Sequence, residues 1–329
     1  MANAQKYFEQ FHARIRTDYD MNQTLIEKRD IILERIRNDL KRKKRPGFEE
    51  LGQGSYTMKT GVIPVEDLEY DIDVGLRFGF SEDDHSAEDV RKWVFEAVDG
   101  HTEKVESKGP CTRVTYADGY HVDLVAYAWW QDASRTERFR LAHKTNGWRP
   151  ADPPALLEHL RNARAPYKGT EDNGTKTDQF RRCVRYLRRW DDVAMPVESD
   201  AKPSGLAFVL LCRDRLAPTR FWQGSPDDRS ALEALANSAV SEVGRLIAKK
   251  PTPEYEDMFA RLTDDDMKAL KRRLRELADA LRDADTEPDP VEACKILQRV
   301  FGPDFPIPEA DDTGKKTKRP AIVPSSSSA

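Results

Sequence analysis

The sequence predicts an α+β fold: a lobe of mixed strands and helices followed by a lobe of helices alone. Three observations point there. Between residues 48 and 127, short apolar or β-branched runs alternate with turn residues and one helical stretch. From Pro153 to about residue 300, apolar residues recur at helical spacing. The 329 residues suffice for one large domain or two closely packed ones, with roughly three quarters of the unfolded surface buried. The expected division is 1–152 for the first lobe with its leading helices, 153–307 for the helical lobe, and 308–329 for a disordered tail.

Taken in order, Tyr7, Phe8, Phe11 and Ile15 share one face of a helix over about 3–18. Asn22 is placed to cap a second helix reaching about Leu40, with Leu25, Ile32, Leu33 and Ile36 on one stripe. The basic run Lys41 to Arg45 ends that helix before Pro46-Gly47. A solvated helix end favoured by the macrodipole explains it; a patch touching RNA or an activating ligand is the competing reading. Residues 48–80 give a Gly-rich turn and an apolar strand. A helix over about 86–98 turns Val90, Trp93, Val94 and Val98 inward. Thr112–Tyr116 and Tyr120–Tyr127 read as a hairpin closed by a two-residue Asp118-Gly119 turn. Residues 131–152 are polar and read as irregular. Helices are then expected at about 154–163, 177–191, 204–216, 228–248, 263–284 and 289–300.

Composition excludes several classes. A net charge of −4 with 34% charged residues leaves no global basic field for bulk binding of long nucleic acid. Four cysteines, at 111, 183, 212 and 294, lack CxxC spacing, which argues against a disulfide framework or a zinc site and fits a reducing cytosol. No apolar run approaches the ~18 residues of a membrane span, and no signal-peptide core heads the chain. A cytoplasmic protein is expected.

The chemistry concentrates in residues 51–78. Asp71 and Asp73, one residue apart on a strand, point to one face, while Ile72 and Val74 point into a core. Two carboxylates so placed repel unless a cation sits between them, and Mg²⁺, which takes hard oxygen ligands and leaves positions for phosphate, suits them. Gly54 lets a turn approach a phosphate closely, and Ser55 adds a hydroxyl and an amide. Asp123 lies in a second apolar strand. Three aspartates from two strands would hold two ions.

Gly54-Ser55, Asp71-x-Asp73 and Asp123, in that order, resemble the polymerase-β-like nucleotidyltransferases. The fuller string, Gly54-Ser55-Tyr56, Lys59-Thr60-x-Val62-x-Pro64 and Tyr70-Asp71-Ile72-Asp73, is similar to the bacterial oligonucleotide cyclases of anti-phage signalling, the CD-NTases of CBASS, relatives of animal cyclic GMP-AMP synthase. In small antibiotic- or protein-modifying transferases the serine and first aspartate usually lie closer together.

The resemblance implies a polymerase-β-like catalytic lobe packed on a C-terminal helical bundle. It implies two Mg²⁺ ions, or Mn²⁺, on Asp71, Asp73 and Asp123, and a triphosphate bound by Gly54, Ser55, Arg188 and Ser204. Arg188 occupies a place where the family often has lysine. The implied product is a cyclic di- or oligonucleotide, with a cyclic GMP-AMP made from ATP and GTP expected. Implied partners are a separate effector responding to the product and a ubiquitin-transfer-like conjugating partner at the C-terminal tail.

Each residue also has a plainer reading. Arg181, Arg185 and Arg188 share a helix face by spacing and could clamp a triphosphate or pair with surface carboxylates. Ser204 could simply cap its helix. His121 shares a face with Asp123 and is expected to support the site rather than to ligate. Tyr56, Trp129, Trp130, Trp148 and Trp222 could stack on a base but are expected mostly in the core. The rival functions are a transferase making linear oligonucleotides or modifying RNA or protein, and a non-catalytic nucleotide- or RNA-binding module.

Overall fold

The computed structural model describes residues 4–17, 19–65, 70–117, 119–196 and 199–309. Strands fall where apolar residues alternate, and they assemble into one mixed sheet: β1 (Phe48–Gly52), β2 (Tyr70–Phe78), β3 (Lys104–Ser107), β4 (Thr112–Tyr116), β5 (Tyr120–Gln131), β6 (Glu137–His143) and β7 (Gly147–Ala151). The order is β1-β2-β5-β4-β3, and β6 pairs with the far half of β5 and carries β7. β2 and β5 are parallel and all other neighbours antiparallel.

Period-two alternation gives the sheet two unlike faces. Ile72, Val74, Leu76 and Phe78 of β2 join Val122, Leu124, Ala126 and Ala128 of β5 in a core covered by α2 (Tyr19–Arg42) and α4 (Ala87–Val98). The opposite face carries Asp71, Asp73 and Asp123 toward the helical lobe.

That lobe comprises α5 (Pro153–Ala163), α6 (Gln179–Ala194), α7 (Gly205–Arg215), α8 (Asp228–Ser241), α9 (Asp264–Thr286) and α10 (Pro290–Phe301). Each helix starts on a side chain that accepts a bond from its own first turn: Asp152, Asp178, Ser204, Asp227, Thr263 and Asp289. These six caps explain why the helix starts were legible in the sequence. α1 (Gln5–Ile15) belongs to the same core, its Phe8 and Phe11 packing among Tyr186, Phe301 and Phe305. At the centre, the fully buried Arg182 forks onto Asp228 through two 2.7 Å bonds, and Tyr186 and Gln179 add bonds to the same carboxylate at 3.1 Å.

Several expectations are corrected. Residues 137–151, read as irregular, form the β6–β7 hairpin, and β1 and β3 are additional strands. Tyr116 pairs with Tyr120, so three residues rather than two separate β4 from β5, with Gly119 at φ +82. α2 begins at Tyr19, which puts Asn22 inside the helix rather than at its cap; the side chains of Asn22 and Leu25 lie outside the described residues. α8 stops at Ser241, and 242–258 is irregular. Within the basic run, Lys43 and Arg45 bond Glu96 at 3.1 and 2.9 Å, and Arg42 and Lys43 pair with Asp39, which favours the plain reading there. Residues 310–329, most of the expected tail, lie outside the described residues. All four cysteines are free and buried. Among the described residues no helix is long and apolar enough to cross a membrane.

Candidate active site

Parallel pairing of β2 with β5 brings the aspartates together. Asp73 is the register partner of Asp123, and Asp71 that of His121. Neighbouring residues of paired strands share a face, so both carboxylates of the 73/123 pair project on the same side. One further step in the same row, β4 places Arg113 opposite Asp123. Its guanidinium forks onto the carboxylate, Nε to Oδ1 at 2.8 Å and Nη2 to Oδ2 at 2.7 Å. Two residues along, His121 Nε2 lies 3.0 Å from Asp71 Oδ1. Ligand atoms of Asp71, His121 and Asp123 all fall within 4.8 Å of one another.

The charges are unevenly balanced. Burial raises the Asp73 carboxyl well above the ordinary range, and the negative charges of Asp71 and Asp123 push it further up. Desolvation by the surrounding cleft walls would raise Asp71 too, although its side chain is partly open to solvent, but the His121 bond and the charges of His121, Arg113 and Arg188 outweigh it and hold that carboxyl low. An acidic cluster with one member forced toward neutrality is the environment a divalent cation relieves, and oxygen donors of this kind fit Mg²⁺ or Mn²⁺. His121 touches Asp71 directly, a contact that agrees with the supporting role expected of it.

The turn facing the aspartates is a short helix, α3 (Gly54–Met58). Gly54 has φ +71, and a Cβ there would lie 2.1 Å from Asp73 Oδ2. Only a glycine permits that approach. Gly75 on β2 is constrained by space alone, since its Cβ would meet Leu51 Cβ at 2.8 Å. Tyr127 Oη donates to Gln53 Oε1 at 3.0 Å and ties the turn to β5.

α6 holds the segment that follows the turn. Arg185 bonds the carbonyls of Gly61 at 2.9 Å and Lys59 at 2.7 Å, Arg188 that of Thr60 at 2.7 Å, and Arg189 that of Ile63 at 2.5 Å. Arg185 also donates to the buried, neutral His12 at 2.9 Å, which fastens α1 to the same place. The expected arginine face therefore divides. Arg181 bonds Asp178, the cap of its own helix, at 2.8 Å. Arg185 is buried on backbone carbonyls, and only Arg188 of the three lines the cleft. The Arg188 guanidinium lies against Gly205, whose Cβ would be 3.2 Å from Nε. Ser204, immediately before it, caps α7 by accepting from Ala207 N at 3.3 Å and also lines the cleft.

The cleft holds about 460 Å³ between the sheet and the helical lobe. Ser55, Asp71, Asp73, Arg113 and His121 form one side, with Arg188, Lys202, Ser204 and Arg261 on the other. Of the seven residues singled out in the sequence, Ser55, Asp71, Asp73, Arg188 and Ser204 line this cleft, while Gly54 abuts Asp73 and Asp123 is the register partner of Asp73. Arg113 and Gln53 were missed, along with the contact of His121 on Asp71.

Residues 49–127, running from β1 into β5, match the family model of the cyclic GMP-AMP synthase DncV-like nucleotidyltransferase domain. This segment is a DncV-like nucleotidyltransferase domain. It contains the turn and all three aspartates, and it bears out the resemblance read from them.

Solved structures extend the likeness of fold beyond the DncV-like domain to most of the chain. Vibrio cholerae DncV cyclic AMP-GMP synthase, in complex with the linear intermediate pppA(3′,5′)pG, superposes with TM-score 0.74 at 15% identity, covering 91% of this chain and 96% of that one. A mutant of the same Vibrio cholerae enzyme bound to ATP and GTP gives TM-score 0.76 at 17% identity, over 92% and 97% of the two chains. Escherichia coli DncV bound to 3′-deoxy GTP gives 0.70 at 16%, over 89% and 93%. The α+β architecture, a mixed-sheet lobe with C-terminal helices, is that of these proteins.

Proposed function

We propose that the chain synthesises a cyclic dinucleotide, a cyclic GMP-AMP made from ATP and GTP, as a second messenger read by a separate effector in anti-phage defence. The observation that carries this reading is the facing of Asp73 and Asp123 across paired strands, beside Asp71 and opposite the Gly54-Ser55 turn. Support for the substrates comes from the Vibrio cholerae structure solved with ATP and GTP.

In this reading Asp71, Asp73 and Asp123 would hold two divalent ions, Mg²⁺ or Mn²⁺. Such ions, when bound, lower the pKa of an attacking ribose hydroxyl and offset phosphate charge. The residues of the chain bind and orient. Ser55 offers its hydroxyl and amide to the triphosphate at the first turn of α3, where exposed N–H groups favour anions. Arg188 supplies a positive charge from across the cleft, and Ser204 presents the start of α7 beside it. The clasp of α6 on the carbonyls of residues 59–63 keeps the Ser55 turn fixed relative to Arg188, the pre-positioning that phosphoryl transfer needs.

Asp73→Asn tests the proposal. It keeps the shape of the side chain and removes a charge that the folded protein disfavours. The metal-free variant should therefore be at least as stable as wild type, while product formation from ATP plus GTP disappears. Chromatography before and after phosphatase treatment distinguishes a cyclic product, which lacks a terminal phosphate, from a linear one. An active Asp73→Asn protein would end the assignment.

A further inference from the structure

Asp123 has a neighbour on each side in one row across the sheet: Asp73 on β2 and Arg113 on β4. Each of its oxygens accepts one bond from the guanidinium, at 2.8 and 2.7 Å, with its side chain 10% exposed and that of Arg113 29% exposed. A forked pair of this kind is among the stronger charge-assisted contacts a carboxylate makes, and burial limits the water that could replace it. Asp71 is not held this way; its partner His121 contacts a single oxygen, and the carboxylate is 44% exposed.

We propose that Arg113 is a latch on the site: it withholds Asp123 from divalent ions until the anionic nucleotide is present. The idea rests on the reading of the three aspartates as metal ligands. Charge supports it. Once ion binding has ionised all three aspartates, three carboxylates less one guanidinium leave two negative charges, which balance one divalent ion but not two. A second ion must therefore await the negative charge that a triphosphate carries in, and that same charge offers Arg113, which lines the cleft, an alternative to Asp123. Ion loading and substrate binding become coupled, and the empty enzyme does not hold a complete site.

The test is Mn²⁺ titration followed by electron paramagnetic resonance, without nucleotide and with a non-hydrolysable ATP analogue. Wild type should bind one Mn²⁺ well and a second weakly, with the second tightened by the analogue. Arg113→Met should tighten the second ion by about tenfold or more without nucleotide, and gain little further from the analogue. Arg113→Lys, which frees one oxygen and keeps the charge, should show a smaller gain and decides the matter if the Met variant does not fold. Adding Asp123→Asn to Arg113→Met should abolish the gain. Second-ion binding unchanged or weakened in both Arg113 variants would overturn the latch, as would a gain that survives loss of Asp123. No product is needed for this measurement, so wild-type failure to make a dinucleotide would defeat the functional proposal separately.

Discussion

Gly54→Ala puts the smallest possible side chain where the structure has no room for one. The added Cβ would lie 2.1 Å from Asp73 Oδ2, 2.6 Å from its Cβ and 2.7 Å from its Cγ. Carbon does not approach these atoms below about 3 Å, so the carboxylate must move by roughly 1 Å, and the direction open to it leads away from the turn. The backbone also resists, because φ is +71 and a left-handed L-residue costs about 1–2 kcal/mol. Rotation of Asp73 relieves the contacts with Oδ2 and Cγ but not the one at 2.6 Å with Cβ, which needs a backbone shift, so stability measured by urea unfolding should fall by at least that amount. Activity should fall much further, because a 1 Å misplacement of a reacting group costs on the order of 10²-fold. Gly47→Ala, with nothing within 4 Å of its added Cβ, is the control and should change stability by no more than about 0.5 kcal/mol. If Gly54→Ala made product within about threefold of wild type, the position of Asp73 against the turn would not matter to the chemistry, and the site as argued would be wrong.

Two more predictions concern buried charge in the helical lobe. Asp228→Ala strips the partner from the fully buried Arg182 and should cost about 3–5 kcal/mol by urea unfolding; a loss below about 1 kcal/mol would show that the pair does not organise that core. Asp191, buried at 1% exposure, has its carboxyl raised to about 6, by burial first and against the pull of the Arg273 bond at 2.6 Å. The folded chain then holds a proton between about pH 3.8 and 6 that the unfolded chain has released, so the residue's contribution to stability declines as pH rises through that window, by about 3 kcal/mol in all. Asp191→Asn removes this slope, and the stability of the variant minus that of wild type should grow between pH 4 and pH 7. Parallel pH profiles would refute the assignment.

How far the sequence disclosed this molecule depended on where the decisive information sits. The helical lobe announced itself, because its helices are apolar on one stripe or, in α7, all round, and each starts on a capping side chain, as Asp178 and Ser204 illustrate. The Asp71–Asp73 strand was equally legible from alternation alone. The β6–β7 hairpin was not: it alternates Arg138 and Arg140 with Phe139 and Leu141, and its half-solvated, charged character matches loop composition. Arg113 was hidden by register. A two-residue turn at Asp118-Gly119 would set it across from Leu124, whereas the observed three-residue connection sets it across from Asp123; one residue of slip changes the partner entirely. The role of Arg185 and Arg189 was hidden for a different reason. Their acceptors are main-chain carbonyls, which every sequence possesses and no pattern advertises.

α1 shares a core with α6–α10, whereas α2, the next helix, packs on the sheet. The chain therefore leaves the helical body near residue 16, builds the whole sheet and re-enters at Asp152, so two covalent tethers join the halves. Between those crossings α6 also clasps the carbonyls of residues 59–63, so hydrogen bonds join the halves as well as the chain itself. A nucleotide entering the cleft would therefore meet a Ser55 turn and an Arg188 already anchored to one another.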